Sequence, residues 1–354
     1  MGLPEILITF KTKGLTAIQR SERGIVAVIL HDETEGGETL TVYNSITEVD
    51  FTKWSERNYD YLKLIYEGVP YRVIVYRMGL EDTNYMPALA VLKNMKWNYL
   101  TIPGIATEGV PSIASFIKEA RDQDHKTFKA VLPNSKSDHE GIINFTTDRI
   151  DSILSNTQFT TAEYCARITG ILAGLSLARS STYYVLNDIT AAETPDDPDK
   201  RIDAGELILV FDGEKFKIGR GVNSLVSFTT DKGQEFSKIK IMEGVDLYQD
   251  DIRDTFEDSY VGKVRNDYDA KQMFVAAIRA YQKSLQPDVL DQSHDNTAAI
   301  DVEAQRLYIE GRGIDTSAMD DTAVAMYNTG SRVFISSNVK FVDAMEDLNL
   351  VCNM

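Results

Sequence analysis

The sequence predicts a mixed α/β fold in two parts, with β-prone segments at both chain ends. A strand, a helix and a second strand follow one another between residues 99 and 132, which is the spacing of a parallel crossover. An acidic, proline-containing stretch at 193–200 separates this region from a second set of strands and helices, as a domain boundary or exposed loop would. Residues 332–342 form a long run of β-prone residues near the C-terminus.

The composition is that of a folded, acidic chain. Of 354 residues, 37 are Lys or Arg and 54 are Asp or Glu, giving a formal net charge of −17. Because nucleic acids are bound through clustered cationic side chains, this balance argues against a DNA or RNA partner. Hydrophobic residues make up 43% of the chain, as in ordinary globular domains.

Cysteine usage and hydropathy indicate where the chain folds. Cys165 and Cys352 are too few for a disulfide framework or a zinc site, so we expect folding in a reducing cytosol and a core position for Cys165. The first residues lack the basic start and apolar core of a signal peptide. Apolar runs fall short of the roughly 20 residues that a membrane helix needs, so membrane insertion is not expected.

Strands and helices alternate through the first 190 residues. Strands are predicted at 24–30, 71–77, 99–102, 127–132 and 183–186. Helices are predicted at 59–67, at 112–121 and from Thr160 onward, because apolar residues recur there every three or four positions. Ser45 and Thr160 each precede a Glu by three positions, which is typical of a capping box at a helix N-terminus.

The second half opens with the clearest local pattern in the chain. Two β-prone segments, 206–211 and 214–219, flank Asp212 and Gly213, and this dipeptide favours the type I′ turn of a tight hairpin. A strand and two helices are predicted next, at 238–242, 246–256 and 269–285. Four aspartates of the first helix are interpreted as its water-facing side: Asp246, Asp250, Asp251 and Asp254.

Both chain ends are predicted to be strands. Residues 3–13 alternate in part between apolar and polar side chains, and residues 332–342 form the longer β-prone run. The first of these strands has no obvious partner nearby, so its backbone groups need a sheet elsewhere to join.

No catalytic, cofactor-binding or metal-binding residues are predicted. The four histidines lack any metal-ligand spacing and are interpreted as surface or loop residues: His31, His125, His139 and His294. A Gly-x-Ser-x-Gly elbow and a phosphate-binding loop are both missing from the sequence. The acidic loop around Asp197 is interpreted as solvated, because it lacks the spaced ligands of a calcium loop.

An ordered set of motifs in the last third of the sequence resembles a known family. The motifs are GRGVNSL at 219–225, KIKIM at 238–242, Asp251-Ile252, YVGKVRN at 260–266 and KFVDAMEDL at 340–348. In this order they resemble the sheath proteins of contractile phage tails and of R-type bacteriocins. The resemblance is nearest to the short sheaths of Gram-positive phages and diffocin-like particles. It covers about residues 205–350, while the N-terminal half agrees only in its order of elements.

The resemblance implies four regions: an N-terminal arm at 1–19, a variable outer α/β domain at 20–200, a conserved C-terminal α/β domain facing an inner tube at 201–330, and a C-terminal arm at 331–354. In the family, such arms reach neighbouring subunits and extend a small sheet there. By position, the implied arm contacts are Ile6, Ile8, Phe10, Val333, Ile335, Val339 and Phe341. The implied sheet-accepting hairpin contributes Leu207, Leu209, Phe211, Phe216 and Ile218.

The implied function is structural. A sheath subunit polymerises helically around a tail tube and contracts to drive the tube through a cell envelope. The implied partners are further copies of the chain, the tube protein, and baseplate and terminator proteins, with no cofactor. The implied locations are the bacterial cytoplasm during synthesis, then the phage tail or a released bacteriocin particle.

Two alternatives stay open at the level of the sequence. The parallel crossover at 99–132 would also suit an α/β hydrolase-like enzyme, although no convincing nucleophile and base can be paired. Another tail or baseplate component is the second alternative. The several predicted helices disfavour a tube protein, because small tube subunits are mostly β.

Overall fold

The computed structural model describes residue 18 and residues 22–155 and 157–353. The chain divides into two compact units. We call Ser21–Gln249 together with Asp343–Met354 the larger unit, and the unit built on Asp250–Val342 the smaller unit.

The larger unit contains both strands and helices. Its strands are β1 Ile25–His31, β2 Leu40–Tyr43, β3 Arg72–Met78, β4 Tyr99–Thr101, β5 Lys129–Pro133, β6 Ile142–Phe145, β7 Asp151–Ser152, β8 Val185–Leu186, β9 Ile189–Ala191, β10 Glu206–Leu207, β11 Leu209–Phe211 and β12 Phe216–Ile218. Its helices are α1 Glu56–Tyr66, α2 Met86–Leu92, α3 Val110–Asp122, α4 Thr161–Gly174 and α5 Pro198–Asp203. Helix α6, Ile239–Ser259, contains the division between the two units.

A seven-stranded sheet forms the centre of the described part of the larger unit. Its strand order is β10-β6-β5-β4-β1-β3-β2. All neighbours in it run parallel except the edge pair β2 and β3, so the predicted parallel crossover is confirmed. Apolar side chains of β1 point alternately into two cores, one shared with α1 and α4 and the other with α2 and α3. Burial on both faces explains why β1 is a continuous apolar run.

The backbone of helix α4 contacts the backbone at the C-terminal end of α1. A Cβ atom added at Gly170 would come within 2.1 Å of the Ile65 carbonyl oxygen, and one at Gly174 within 1.8 Å of the Gly68 carbonyl oxygen. These positions therefore need glycine, because any side chain would overlap the neighbouring backbone.

The smaller unit combines helices with a β-ribbon. Its further elements are α7 Tyr268–Ser284, β13 Thr297–Ile300, α8 Val302–Glu310, α9 Asp321–Met326 and β14 Ile335–Asn338. Strands β13 and β14 pair antiparallel, with Ile300 opposite Ile335. Helix α7 packs on this ribbon, where the Arg279 side chain donates a 2.7 Å hydrogen bond to the Ala298 carbonyl.

Local patterns predict the helix caps with different success. At Thr160 the full capping box is present and opens α4, because the threonine hydroxyl and Glu163 satisfy each other's backbone N–H groups. At Ser45 the chain makes a single 3-10 turn, Ile46–Glu48, and Glu48 accepts instead from the Asn44 N–H. The turn ends there because Val49 is extended and buried.

The predicted strand at 238–242 is wrong, because Ile239 begins α6. Alternating Lys and Ile over so few positions fits either structure, and here Ile239, Ile241 and Met242 are all buried. The water-facing interpretation of the aspartates is also wrong for Asp246 and Asp251, which are fully buried.

The predicted hairpin is confirmed as strands β11 and β12, but its connection differs. Phe211 pairs with Phe216, which leaves a four-residue loop in place of a two-residue turn. Asp212 stabilises this loop by accepting from the backbone N–H groups of Glu214 and Lys215.

The structure divides the chain at a different position from the predicted boundary near residue 200. Strand β10 joins the central sheet beside β6, and β12 pairs with β8, so the hairpin region belongs to the larger unit. Within that unit, residues 193–197 of the proline-containing stretch form a loop, and α5 begins at Pro198. Among the described residues, no helix has the length and apolar character to cross a membrane.

Candidate functional site

Residues of two neighbouring motifs and of a third, distant motif meet on the larger unit. Basic side chains from 219–225 and 238–242 lie against acidic side chains from 340–348. We call the first group the receptor residues: Ser180, Thr182, Arg220 and Lys238. We call the second group the tail acids: Asp343, Glu346 and Asp347. Together they form what we name the tail clasp.

Glu346 lies at the centre of the tail clasp, with its side chain only 7% exposed. Its Oε1 atom accepts hydrogen bonds from the hydroxyls of Ser180 at 3.0 Å and Thr182 at 2.6 Å. Its Oε2 atom lies 3.6 Å from Arg220 Nε and 3.7 Å from Lys238 Nζ. Burial of this carboxylate is therefore balanced by two hydroxyl donors and two cations.

The other two tail acids lie at the rim. Arg220 donates to the carboxylate of Asp347 at 2.6 Å, where the Asp347 side chain is 84% exposed. Lys238 pairs with Asp343, whose side chain is also exposed. Because water and salt reach both pairs, they contribute less than the central carboxylate.

The receptor residues are held by contacts within the larger unit. Val222 and Lys238 form an antiparallel bridge, which brings Arg220 and Lys238 to the same place. The Gly221 N–H donates to the Thr182 hydroxyl at 2.9 Å. A Cβ atom at Gly221 would lie 2.4 Å from the Ser181 hydroxyl oxygen, so glycine permits this close approach.

The C-terminal tail, residues 343–353, forms neither helix nor strand. Its acidic side chains point into the clasp, while its large apolar side chains are exposed to solvent. The exposed apolar residues are Met345, Leu348, Leu350 and Val351. This is the reverse of the arrangement expected for a segment folded into its own core.

A second ionic cluster lies beneath the first half of α6. The Asp246 carboxylate is completely buried and accepts from Arg121 at 2.8 Å and from Lys129 at 2.5 Å. Next to it, Glu243 pairs with Lys129 at 2.9 Å and with Arg23 at 3.0 Å. We call these five residues the buried charge network.

The pKa values of its two carboxyl groups are lowered. Burial alone would raise the pKa of Asp246, but the charges of Arg121 and Lys129 outweigh it. For Glu243, burial is likewise outweighed, by Lys129 and Arg23, and the net pKa is lowered. Both carboxylates are therefore held in their charged form.

The predicted arm contacts fall into two groups. Ile6, Ile8 and Phe10 lie outside the described residues. At the other end, Ile335 is part of β14 and Phe341 bridges Leu290, in both cases within the same chain.

The other two C-terminal arm residues lie on either side of β14. Val333 lines a cavity of about 460 Å³ in the smaller unit, beside Phe256 and Tyr260. Val339 follows β14 and is half-buried. Exchange of these segments between subunits stays a prediction.

The predicted accepting hairpin is mostly part of the core of the larger unit. Leu207, Leu209 and Ile218 are fully buried, and Phe216 nearly so. Phe211 is the exposed member of the set. Its strand, β11, is an edge of the described β11-β12-β8 sheet, so acceptance of a partner strand there also stays a prediction.

His139, interpreted as a surface or loop residue, lies in the loop between β5 and β6 but is buried beside Glu140 and Asp122. Burial lowers the pKa of His139. Ligand atoms of these three residues lie within 4.8 Å of one another, but Lys232 Nζ already contacts Glu140 at 2.8 Å. The carboxylates are thus neutralised by a cation of the chain itself.

Cys165 is buried as predicted, and burial raises the pKa of its thiol.

Sequence reasoning found the motifs of the clasp but not their contact. Ser180 and Thr182 carried no signal in the sequence, because a hydroxyl that supports a distant carboxylate has no local pattern. The opposite charges of the two sets of residues, basic at Arg220 and Lys238 and acidic in the tail, are the feature of the sequence that is consistent with this contact.

Two family descriptions match this chain in succession. Residues 79–224 match the phage tail sheath protein central domain, and residues 231–354 match the phage tail sheath C-terminal domain. The first match contains Arg220, and the second contains Lys238 and the tail acids.

Relatives and solved structures agree with these matches. A tail sheath protein of Clostridium phage phiCD119 is 35% identical over 363 residues, covering 100% of this chain and 99% of the relative. The sheath tail protein of Desulfitobacterium hafniense has a TM-score of 0.71 at 18% identity, covering 84% of this chain and 94% of that one. The anti-feeding prophage helical sheath in its contracted state has a TM-score of 0.72 at 12% identity, covering 100% and 99%. At these identities the two structures show a shared fold.

Proposed function

This chain belongs to the phage tail sheath protein family, and from that membership we propose that it polymerises helically around a tail tube and contracts to drive the tube through a cell envelope. The observation that carries the proposal is the similarity to a phage tail sheath protein along the entire chain. The structural role needs no active site, so we further propose that the chain has no catalytic activity and that the parallel sheet is a scaffold.

Open sheet edges support polymerisation. In the described part of the chain, β13 and β14 form a two-stranded sheet, so along one edge of each strand the backbone groups pair with no further described strand. A strand from a neighbouring copy can satisfy those groups by extending the ribbon. We propose this ribbon, together with the edge strand β11, as the place where arm residues such as Ile6, Ile8 and Phe10 are received.

Two arms on each subunit would connect every copy to different neighbours. One backbone hydrogen bond contributes about 0.5–1.5 kcal/mol net, so a strand of ordinary length gives several kcal/mol. Once one arm is docked, the second binds at a high effective concentration. Contacts of this head-to-tail kind, when they do not close into a ring, produce a helical filament.

Contraction then follows from a change of packing between rigid subunits. We propose that the extended polymer is metastable and that new contacts in the contracted polymer supply the free energy. The smaller unit, which makes up most of the predicted 201–330 domain, contacts the tube protein in this proposal, and baseplate and terminator proteins bind the ends of the polymer. The arms act as flexible tethers while the subunits shift.

Electron microscopy tests polymerisation directly. Concentrated protein should form hollow, striated cylinders in negative stain. Replacing apolar arm residues with Ile6→Asp and Ile8→Asp should leave a folded monomer that forms no cylinders, because the arm strand would lose its apolar face. The matched control carries Thr9→Asp and Lys11→Asp on the opposite face of the same strand, and it should still assemble. Normal cylinders from the first variant would overturn the role of the arm.

A further inference from the structure

We propose that the larger unit binds a small organic anion, one that carries phosphate or carboxylate groups, in a cavity at the carboxyl end of its central sheet. We call this space the sheet-edge cavity. Its volume is about 640 Å³, which is within the range of small-molecule sites in proteins. The inference goes beyond the proposed role in polymerisation and does not depend on it, because the cavity lies within one subunit.

The sheet-edge cavity lies where open α/β sheets bind their ligands. Its walls come from the segments that follow β4, β5 and β6, from α3 and from the N-terminal turn of α4. These three strands are parallel neighbours, so their carboxyl ends meet at one edge of the sheet. In such sheets, ligands bind outside the carboxyl ends of the strands, close to the point where the strand order reverses. Here the order reverses at β1, which has β3 on one side and the cavity-bordering β4 on the other.

The charged residues of the wall favour an anion. They are Lys118, Lys136 and Asp148, so cations outnumber the single acid in a chain whose net charge is −17. Asp148 already accepts hydrogen bonds from the Thr161 N–H at 2.9 Å and from the Thr161 hydroxyl at 3.1 Å. A basic cavity in an acidic protein concentrates anions locally, while the rest of the surface repels them.

The two lysines have donors to offer a ligand. Among the described residues, the Lys118 ammonium donates to a neutral oxygen, the Ser137 carbonyl. An ammonium has three N–H donors, so two remain for an anion in the cavity. Lys136 lies 3.5 Å from the Glu206 carboxylate, but its side chain is 73% exposed. Such an exposed pair is weak, so a ligand can replace the acid at small cost.

The remainder of the wall suits an organic anion better than a bare ion. Ser115 and Asn134 line the cavity and are exposed, and their hydroxyl and amide groups can donate to anionic oxygens. The hydroxyls of Ser135 and Ser137 lie 2.8 Å apart in the same wall. Apolar side chains line the cavity as well and can contact the carbon skeleton of a ligand: Ile105, Val110, Ala114 and Ala162.

A buried amide near the cavity also lacks a partner. Asn144 of β6 is completely buried, and neither its side-chain nitrogen nor its side-chain oxygen has a hydrogen-bond partner among the described residues. It lies opposite Leu132 of β5, and the next residue of β5 is the cavity-lining Pro133. Unpaired buried groups of this kind are rare in folded proteins, and a bound ligand is one explanation for them.

Calorimetric titration of the full chain tests the site. Fructose 1,6-bisphosphate is the phosphate-bearing probe, citrate is the carboxylate-bearing probe and fructose is the uncharged control, all at one ionic strength because salt screens such binding. We expect saturable binding of an anionic probe at one site per chain and no binding of fructose. The tighter probe identifies the preferred anionic group. If neither anion binds saturably, or if fructose binds equally well, the proposal is overturned.

A matched pair of lysine variants locates the binding. Lys118→Gln removes the ammonium but keeps a side-chain N–H for the Ser137 carbonyl, and we expect it to bind the anionic probe about tenfold more weakly or worse. Lys126→Gln removes the same charge from an exposed position before β5, at the opposite end of that strand, and should bind as the unaltered chain does. Equal weakening in both variants would show that binding follows overall charge, which contradicts a site in the cavity.

A second pair of variants tests the cavity itself. Ser115→Trp places a large side chain in the cavity from an exposed position on α3 and should abolish binding of the anionic probe. Ser112→Trp, on the same helix but outside the cavity wall, should bind normally. Circular dichroism and thermal unfolding show whether both variants are folded. Unchanged binding by a folded Ser115→Trp variant would place the anion elsewhere and overturn the site.

Discussion

The buried charge network and the tail clasp use the same chemistry in different surroundings. In the network, Asp246 is completely buried and held by Arg121 and Lys129. In the clasp, Glu346 is nearly as buried, but Asp347 and Asp343 at its rim are open to water. One carboxylate joins a helix to the central sheet, and the other joins a tail without regular structure to the surface of the larger unit.

This difference shows that burial decides how strongly an ion pair holds two parts of the chain together. Removing one partner of a buried pair leaves an uncompensated charge in a poorly solvated place, which is strongly unfavourable. The network therefore stabilises one arrangement of α6 against β5. A rim pair can be opened at small cost, because water replaces the lost partner. The two rim pairs of the clasp can thus open at small cost, whereas the buried Glu346 is held by four partners.

The largest expected effect comes from breaking the network. Asp246→Asn removes the buried carboxylate that Arg121 and Lys129 share, and we expect a loss of about 3–5 kcal/mol in the free energy of unfolding. Asp347→Asn at the rim of the clasp is the matched control and should cost less than about 1 kcal/mol. Urea denaturation of both variants measures the difference. Equal losses would contradict the comparison.

Acid should remove the contribution of the network. The folded-state pKa values of Asp246 and Glu243 are lowered, so the unfolded chain takes up protons first as the pH falls. Their stabilisation is present above the unfolded-state pKa of about 4 and decreases as the pH falls toward the folded-state values. The difference in unfolding free energy between the unaltered protein and Asp246→Asn should therefore shrink from about pH 6 to about pH 3. A constant difference over that range would argue against a charged Asp246.

A smaller effect is expected from the hydroxyl donors of the clasp. Thr182→Val removes one hydrogen bond to the Glu346 carboxylate, and a bond to a charged group contributes about 1.5–3 kcal/mol. The free energy of unfolding, measured by urea denaturation, should fall accordingly in Thr182→Val. Thr190→Val, which alters an exposed threonine outside the clasp, is the matched control. Equal free energies of unfolding for the two threonine variants would show that the Thr182 hydroxyl does not stabilise the clasp.

The smallest expected effect is that of salt, which should weaken the exposed pairs of the clasp more than the buried charge network. Raising NaCl from about 0.05 M to about 0.5 M shortens the screening length several-fold. The small loss of stability caused by Asp347→Asn should shrink further, whereas the loss caused by Asp246→Asn should change little, because ions do not reach a fully buried pair. If both quantities respond alike, the clusters do not differ in the way proposed.

Sequence patterns predicted the local structure better than the long-range contacts. The capping box at Thr160 and the hairpin after Glu206 are set by neighbouring residues, and both are present. The pattern at the start of α6 wrongly predicts a strand, because alternation over five residues does not distinguish the two-residue period of a strand from the 3.6-residue period of a helix. The burial of Asp246 could not be predicted, since its cations come from α3 and β5, far earlier in the chain.

The clasp shows the same limit at the functional site. The motifs containing Arg220, Lys238 and Glu346 were recognised by their order, yet order in the chain does not specify contact in space. The predicted boundary near residue 200 depends on a proline-containing stretch. Residues 193–197 of this stretch are a loop, but α5 follows it and β10 then joins the central sheet, so the larger unit continues past the loop.

A helical reconstruction of the assembled cylinders is the most direct test of the account. At a resolution that traces the backbone of each chain, arm residues such as Ile6, Ile8 and Phe10 of one copy should pair with the β13–β14 ribbon or with β11 of a neighbouring copy. Arms that pair only within their own subunit throughout an ordered cylinder would contradict it.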